Sequence, residues 1–297
     1  MRPLPLLTLW LRGFSQVFLQ PSPLFGLLCL ALIGACAPGL LPGAVLGATA
    51  GPAFAHLLRC RQGDTDAGLY GYNAVLIGLL LPLKFAWSPM LVALVLFASL
   101  ASVLLQRLLL RASRQRHGLL PPYTLAFVLL GWTLPALGTL PSLPAAAPIA
   151  GLIELPLPTL LEATSRAFGQ VIFLDTPLAG ALIFLGLLLG APRAATWALF
   201  GAVMVLPVAV FAGIPLGDVH SGLLGMNSAL AALALALRGP GPFAPLAGAV
   251  LALILQQAMV ALGIPFMTAP FIFACLLVLL GERLLRPASR RAPLAGS

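Results

Sequence analysis

Gln16 and Gln170 stand 154 positions apart, and so do Asn73 and Asn227, the only two asparagines among 297 residues. A glutamine offers one carbonyl oxygen and one NH2 group, so it can both accept from and donate to a small polar molecule. The hydroxyls of Thr124 and Thr268 recur at a spacing of 144 and can also do both. Asp64 and Asp218 complete the set of paired polar residues. None of these pairs joins a nucleophile to a base or gathers a set of metal ligands, so the spans offer no catalytic cluster. The chemistry left to them is recognition by hydrogen bonding. Each pair also has a plain structural alternative. A lone glutamine in a membrane helix bonds a neighbouring helix, and a lone threonine bonds its own backbone. Duplication beside a helix break tips the glutamines toward recognition. For Asn73 and Asn227 the structural reading is favoured, as glue between helices. Asp64 and Asp218 read as caps or loop partners, since anionic groups are favourable at helix starts.

The pairs belong to a longer duplication. Gly63-Asp64 and Gly68-Leu69-Tyr70-Gly71-Tyr72-Asn73 reappear as Gly217-Asp218 and Gly222-Leu223-Leu224-Gly225-Met226-Asn227. At the same offset Arg12, Phe14, Gln16, Val17, Pro23, Leu24 and Gly26 recur as Arg166, Phe168, Gln170, Val171, Pro177, Leu178 and Gly180. Matches among scarce polar residues carry the argument, because matched leucines mean little in a leucine-rich chain. Such self-similarity marks a duplicated structural unit. The offset falls to 144 at the threonines because the Arg-rich loop of the first half has no second-half counterpart.

Elements able to position these pairs must sit in lipid. The chain is 61% hydrophobic and only 8% charged, with a mean hydropathy of +1.08, whereas soluble domains carry about 25% charged residues. No cleavable signal peptide is expected, because the first residues lack a basic segment followed by an apolar core and a cleavage site. The net charge of +9 is explained by basic cytoplasmic loops rather than by nucleic-acid binding. Cys29, Cys36, Cys60 and Cys275 have no CxxC spacing and read as small hydrophobes, not metal ligands or disulfides. His56, His117 and His220 are not repeat-related, and His220 aligns with Asp66.

Spanning helices need about 20 apolar residues. Candidates fall at 23–38, 40–58, 68–85, 89–110 and 119–139, and again at 177–191, 193–213, 220–237, 242–262 and 266–285. The expected fold is therefore an all-α integral membrane protein with ten transmembrane helices in two five-helix repeats. The repeats occupy residues 1–140 and 159–286. A Pro-rich linker (141–158) joins them, and a basic tail (287–297) follows. Leu6–Gln20 and Thr159–Leu174 are short segments that end in Ser22-Pro23 and Thr176-Pro177. The hydroxyl of each pair can cap a fresh helix, and proline suits its first position. Each half is thus expected to open with a re-entrant half-helix. Such breaks are tolerated at membrane depth only where they are buried or line a polar cavity. Five spans is an odd number, so the second repeat must be inverted. Following the chain then puts twelve arginines of the loops and tail on one face and only Lys84 on the other. That asymmetry places the arginines and the C-terminus in the cytoplasm. Arg12 and Arg166 are expected to anchor the half-helices near the headgroups.

Inverted repeats with broken helices put a substrate site near the midplane, between the halves. Gln16/Gln170 and Thr124/Thr268 are the polar candidates. Prolines near the threonines would free backbone carbonyls as further acceptors. Tyr72/Met226 and Leu76/Leu230 form either the walls of a narrow slot or ordinary helix packing. Gly68, Gly71, Gly222 and Gly225 fit close helix contact. Beyond Arg12 and Arg166, only Glu162 and Asp175 are candidates for charge within the membrane. That scarcity points to a neutral, small, polar substrate rather than to ion coupling.

These residues resemble the urea transporters of bacteria and animals. The resemblance rests on Leu11-Arg12-Gly13-Phe14-Ser15-Gln16-Val17, Gly169-Gln170-Val171, Asp175-Thr176-Pro177-Leu178-Ala179-Gly180, Gly68-Leu69-Tyr70-Gly71-Tyr72-Asn73 and Thr268-Ala269-Pro270-Phe271, and it covers about residues 5–285. It implies a homotrimer embedded in lipid, one pore per subunit, and passive flow of urea through a narrow filter without a cofactor. By position, Gln16 and Gln170 would face urea at the two ends of the filter, and Thr124 and Thr268 would line its middle. Val17, Tyr72, Leu76, Val171, Phe173, Met226 and Leu230 would form the slot walls. Two departures stand out. Leu19 occupies the place that corresponds to Phe173, with Phe18 beside it as a substitute aromatic. Tyr72 and Met226 stand where phenylalanine is common. The expected location is a bacterial-type plasma membrane. A channel for ammonia or short amides on the same scaffold is the alternative, and a membrane-embedded enzyme is disfavoured by the missing cluster. Ammonium channels typically pair pore histidines, which this duplication lacks.

Overall fold

The computed structural model describes residues 6–115, 121–133, 157–211, 214 and 216–285. His117, most of the Pro-rich linker and the basic tail lie outside the described residues. The first half runs α1 (Leu6–Ser15), α2 (Pro23–Cys36), α3 (Leu41–Leu57), α4 (Gln62–Asp66), α5 (Tyr72–Lys84), α6 (Pro89–Gln115) and α7 (Leu125–Thr133). The second runs α8 (Leu157–Gly169), α9 (Pro177–Gly190), α10 (Pro192–Phe211), α11 (Leu216–His220), α12 (Leu223–Arg238), α13 (Phe243–Ala261) and α14 (Ala269–Leu285). The order repeats, and the starts recur at the sequence offsets. α2 and α9, α4 and α11, and α6 and α13 begin 154 positions apart, and α7 and α14 begin 144 apart.

Each half opens with a broken helix. α1 passes through a 3-10 turn at Gln16–Phe18 and bends by 79° into α2, while α8 passes through a turn at Gln170–Ile172 and bends by 78° into α9. Both turns end on a non-glycine residue in the left-handed region, Leu19 and Phe173, each at φ 60°. That conformation costs a side-chain-bearing residue roughly 1–2 kcal/mol, so the surrounding packing must hold it. Ser22 caps α2 as its sequence suggests, accepting a hydrogen bond from the Phe25 amide at 3.3 Å with Pro23 at the first position. The matching cap at Thr176 is not made. Its hydroxyl is buried without a hydrogen-bond partner, leaving Pro177 to start α9. At both breaks the backbones touch. A Cβ on Gly26 would lie 2.0 Å from the Leu11 carbonyl oxygen, and one on Gly180 would lie 1.8 Å from that of Ser165.

Helices occur at all ten expected span positions. Four of them, Pro38–Leu57, Pro89–Gln115, Pro192–Ala209 and Phe243–Ala261, are long and apolar enough to cross a membrane unaided, and the two bent pairs qualify as units. α5 and α12 are shorter because the first residues of their expected spans form the turns that precede them. Every residue from Tyr72 to Pro82 is buried, as is every residue from Leu224 to Ala236. A helix apolar on all sides belongs to an interior. α3 approaches α5 and the turn before it through Gly43, Gly47 and Gly51, where an added Cβ would meet the carbonyls of Gly78, Ala74 and Tyr70 at 2.0, 2.1 and 2.5 Å. Small residues on one helix face allow this approach where lipid gives no hydrophobic drive. The outer helices instead expose large apolar side chains, among them Phe97, Leu108, Leu246 and Ile254.

Candidate functional site

The turns at Gln16–Phe18 and Gln170–Ile172 pack against each other, bringing the two breaks together. Val17 and Val171 are buried there in one continuous core with Tyr72 and Leu76 of α5 and Met226 and Leu230 of α12. Phe173 packs on the same core, and its ring meets that of Phe127 edge-on at 6.3 Å between centroids. Phe18 neighbours Leu19, the residue at the place that corresponds to Phe173. Phe18 is fully buried edge-on to Phe25, 5.5 Å away, and borders a void of about 10 Å³ with Val171 and Leu230. That space is the size of a single water.

Thr124 and Thr268 meet directly. Their hydroxyl oxygens are 2.8 Å apart, and both residues are buried. Neither hydroxyl bonds its own backbone among the described residues, so the pair is the junction of the two halves rather than two separate helix details. Each threonine immediately precedes a helix, α7 or α14. Each follows a non-glycine residue in the left-handed region, Tyr123 at φ 39° and Met267 at φ 47°.

The asparagines hold these two helix starts. Asn73 Oδ1 accepts from the Phe127 amide at 3.2 Å, and Asn227 Oδ1 accepts from the Phe271 amide at 3.3 Å. Those amides belong to the first helical turn, where no intrahelical acceptor exists. Behind each asparagine stands a buried glutamine. Asn73 Nδ2 donates to Gln106 Oε1 at 3.2 Å, and Asn227 Nδ2 donates to Gln256 Oε1 at 2.8 Å. Gln106 Nε2 donates to the Tyr72 hydroxyl at 2.9 Å, and that hydroxyl donates to the Tyr123 carbonyl. In the second half, Asn227 Nδ2 also reaches the Met267 carbonyl at 3.0 Å, and Gln256 Nε2 donates to the Leu223 carbonyl at 3.0 Å. The carbonyl before each threonine therefore already accepts one hydrogen bond, which leaves its second lone pair open. The asparagines are structural, as their pairing suggests. Gln106 and Gln256 escape the repeat comparison because they are 150 positions apart, four out of register. The signal was their presence in otherwise apolar stretches of α6 and α13.

The two ends of the broken helices differ. Arg12 Nη1 donates to the Asp66 carbonyl at 2.6 Å, and Arg166 Nη1 donates to the His220 carbonyl at 3.0 Å. Each guanidinium thus satisfies the last carbonyl of a short helix, α4 or α11, and pins it to the half-helix. Internal carbonyls are thus among the partners of both arginines. Gly68 and Gly222, at φ 79° and 78°, accept this closeness, because a Cβ at either would press into the backbone of Arg12 or Arg166 within 2.9 Å. Asp64 is a loop partner, 2.9 Å from Arg114. Beyond this shared anchor the ends diverge. Gln16 makes no side-chain hydrogen bond among the described residues, whereas Gln170 Nε2 donates to the Ser221 carbonyl at 2.8 Å and to Asp175 Oδ1 at 3.3 Å. Arg166 also lies 3.6 Å from Glu162 and 3.7 Å from Asp175, and His220 Nε2 lies 2.9 Å from Glu162. The corresponding first-half positions are Thr8, Pro21 and Asp66. No group of three metal-ligating side chains occurs among the described residues, and all four cysteines are free.

Comparison with known proteins places this architecture. The urea transporter family model matches residues 7–283. Urea transporter 1 of Ovis aries is 28% identical over 299 residues, covering 91% of this chain and 75% of the relative. Urea transporter 1 of Rattus norvegicus is 29% identical over 281 residues, covering 88% and 68% respectively. A match that spans both broken helices, both asparagines and both threonines leaves no major element outside it: the chain belongs to the urea transporter family.

Proposed function

We propose that the chain is a passive, channel-type transporter of urea, with the pathway running between its two halves, and not an enzyme. The observation that carries this reading is the buried hydroxyl pair of Thr124 and Thr268, 2.8 Å apart where the halves meet. Urea is flat, with a carbonyl acceptor and four N–H donors. Hydroxyls and amide oxygens can replace its water one bond at a time. Gln16 and Gln170 form the two ends of the filter, the threonines its middle, and Val17, Tyr72, Leu76, Val171, Phe173, Met226 and Leu230 its walls. Apolar walls give a hydrated ion no compensation for a stripped shell. Several weak neutral sites also suit conduction better than one tight charged site.

The same reading makes the repeats inverted, with ten crossings and the C-terminus in the cytoplasm. The recurrence of helix starts and the arginine asymmetry support it. The protein acts in the plasma membrane as a homotrimer surrounded by lipid, as the family resemblance implies. Stopped-flow urea flux in proteoliposomes tests the assignment. Wild-type protein gives urea flux well above that of empty vesicles. Gln16→Ala and Gln170→Ala each lower it about tenfold, the scale of one lost hydrogen bond, without loss of assembly on size exclusion. Normal flux in both variants would remove the glutamines from the filter. Flux of ammonia or acetamide in place of urea would favour the alternative solutes.

A further inference from the structure

The two filter ends are built differently, and the difference lies in how Gln170 is held. Both groups that approach its NH2, the Ser221 carbonyl and the Asp175 carboxylate, are acceptors, at 2.8 and 3.3 Å. Acceptors on that side leave one orientation for the amide. Its nitrogen turns toward them and its Oε1, which makes no hydrogen bond among the described residues, turns away. Asp175 is steadied by the Arg166 guanidinium at 3.7 Å, and Arg166 is fixed through the His220 carbonyl and Glu162. Gln16 has none of this: its side chain is unbonded among the described residues, and Pro21 stands where Asp175 would.

We propose that Asp175 is a positioning residue that locks the Gln170 amide so that this end of the filter presents an acceptor to the N–H groups of urea, while the Gln16 end is free to rotate. The proposal deepens the urea-channel reading and rests on it. Its sense is chemical. A fixed acceptor selects a solute that brings N–H donors, and a rotating amide at the opposite end serves either face of the solute. Asp175 need not touch urea; it acts through the amide. The ion pair with Arg166 adds little by itself, because the Asp175 side chain is 73% exposed. The acceptor oxygen, not the charge, is what the geometry uses.

The test is a double-mutant cycle on urea flux in proteoliposomes. Asp175→Ala raises the half-saturating urea concentration about three- to fivefold, the effect of one weak hydrogen bond, with maximal flux kept within about twofold. Asp175→Asn keeps an acceptor oxygen and restores the wild-type value. Asp175→Lys puts a donor in its place and raises the value at least as much as Asp175→Ala, so the conclusion does not hang on one variant. In a Gln170→Ala background, Asp175→Ala changes nothing further, because its route of action is gone. The proposal is overturned if Asp175→Ala matches wild type, if Asp175→Asn is as impaired as Asp175→Ala, or if the effect persists undiminished without Gln170. Absence of urea flux in the wild-type protein is a separate outcome: it removes the channel reading itself.

Discussion

At the scale of single residues, scarcity is the guide. In a chain this apolar a buried polar side chain needs a partner, and the asparagines show how many partners one can serve. Asn227 bonds the Phe271 amide, the Met267 carbonyl and Gln256. Asn227→Leu strands all three groups, so it lowers stability by about 1–3 kcal/mol, the cost of leaving buried polar groups unpaired, as read from thermal unfolding in detergent. Thr268→Val behaves differently. It removes one hydroxyl of a pair whose geometry is set by these neighbours, so it costs less stability than Asn227→Leu but lowers urea flux. Equal losses of stability in the two variants would show that the threonines are scaffold as much as site. The asparagines, glutamines and threonines were legible as pairs because duplication gives each residue a second witness. Gln106 and Gln256 were not, because they slipped four residues out of register. Asp175 was noticed for its charge and its place in the family motif but not for a role beside Gln170, since that role depends on a side-chain contact that spacing cannot disclose.

At the scale of elements, the two broken helices are what the pattern of Ser22-Pro23 and Thr176-Pro177 announces, and the bend angles of 79° and 78° agree closely. The hydroxyl cap is realised only at Ser22. A cap depends on the side-chain rotamer and on competing packing, neither of which a Ser-Pro or Thr-Pro pair carries. What both breaks share is close backbone contact at Gly26 and Gly180. A methyl group at either has nowhere to go, because the obstructing atom is a backbone carbonyl oxygen within 2.0 Å. Gly26→Ala and Gly180→Ala are therefore expected to lower the midpoint of thermal unfolding by several degrees and to reduce the yield of assembled protein. Gly281→Ala is the control. It lies in α14 with nothing within 4 Å of an added Cβ, so relief of the helical glycine penalty, about 1 kcal/mol, makes it neutral or stabilising. If all three variants behave alike, the crossing is not the constraint that fixes the break. α5 and α12 read as spans from composition alone, which does not say what surrounds them. Composition cannot separate burial in lipid from burial in protein, and only packing on every side reveals these two helices as enclosed by the others.

At the scale of the whole molecule, duplication conserves the scaffold and releases the ends. The helix order, the bends, the arginine anchors and the asparagine caps all occur twice, and the two threonines meet in one contact. The charged cluster of Glu162, Arg166, Asp175 and His220 occurs once. This distribution bears on energetics. Coupling to an ion gradient needs an ion-binding group inside the pathway that changes its occupancy during the cycle. The groups brought to the junction of the halves are instead neutral hydroxyls, amides and apolar walls, and the charged side chains around Gln170 are already engaged with one another. Urea flux should accordingly follow the urea gradient alone. In proteoliposomes it should keep its rate when sodium is replaced by potassium on both sides, when a proton ionophore is added, and when the direction of the urea gradient is reversed. A requirement for a sodium or proton gradient would mean that the single charged cluster is a coupling site, and a passive pathway through paired neutral groups could not then be the mechanism.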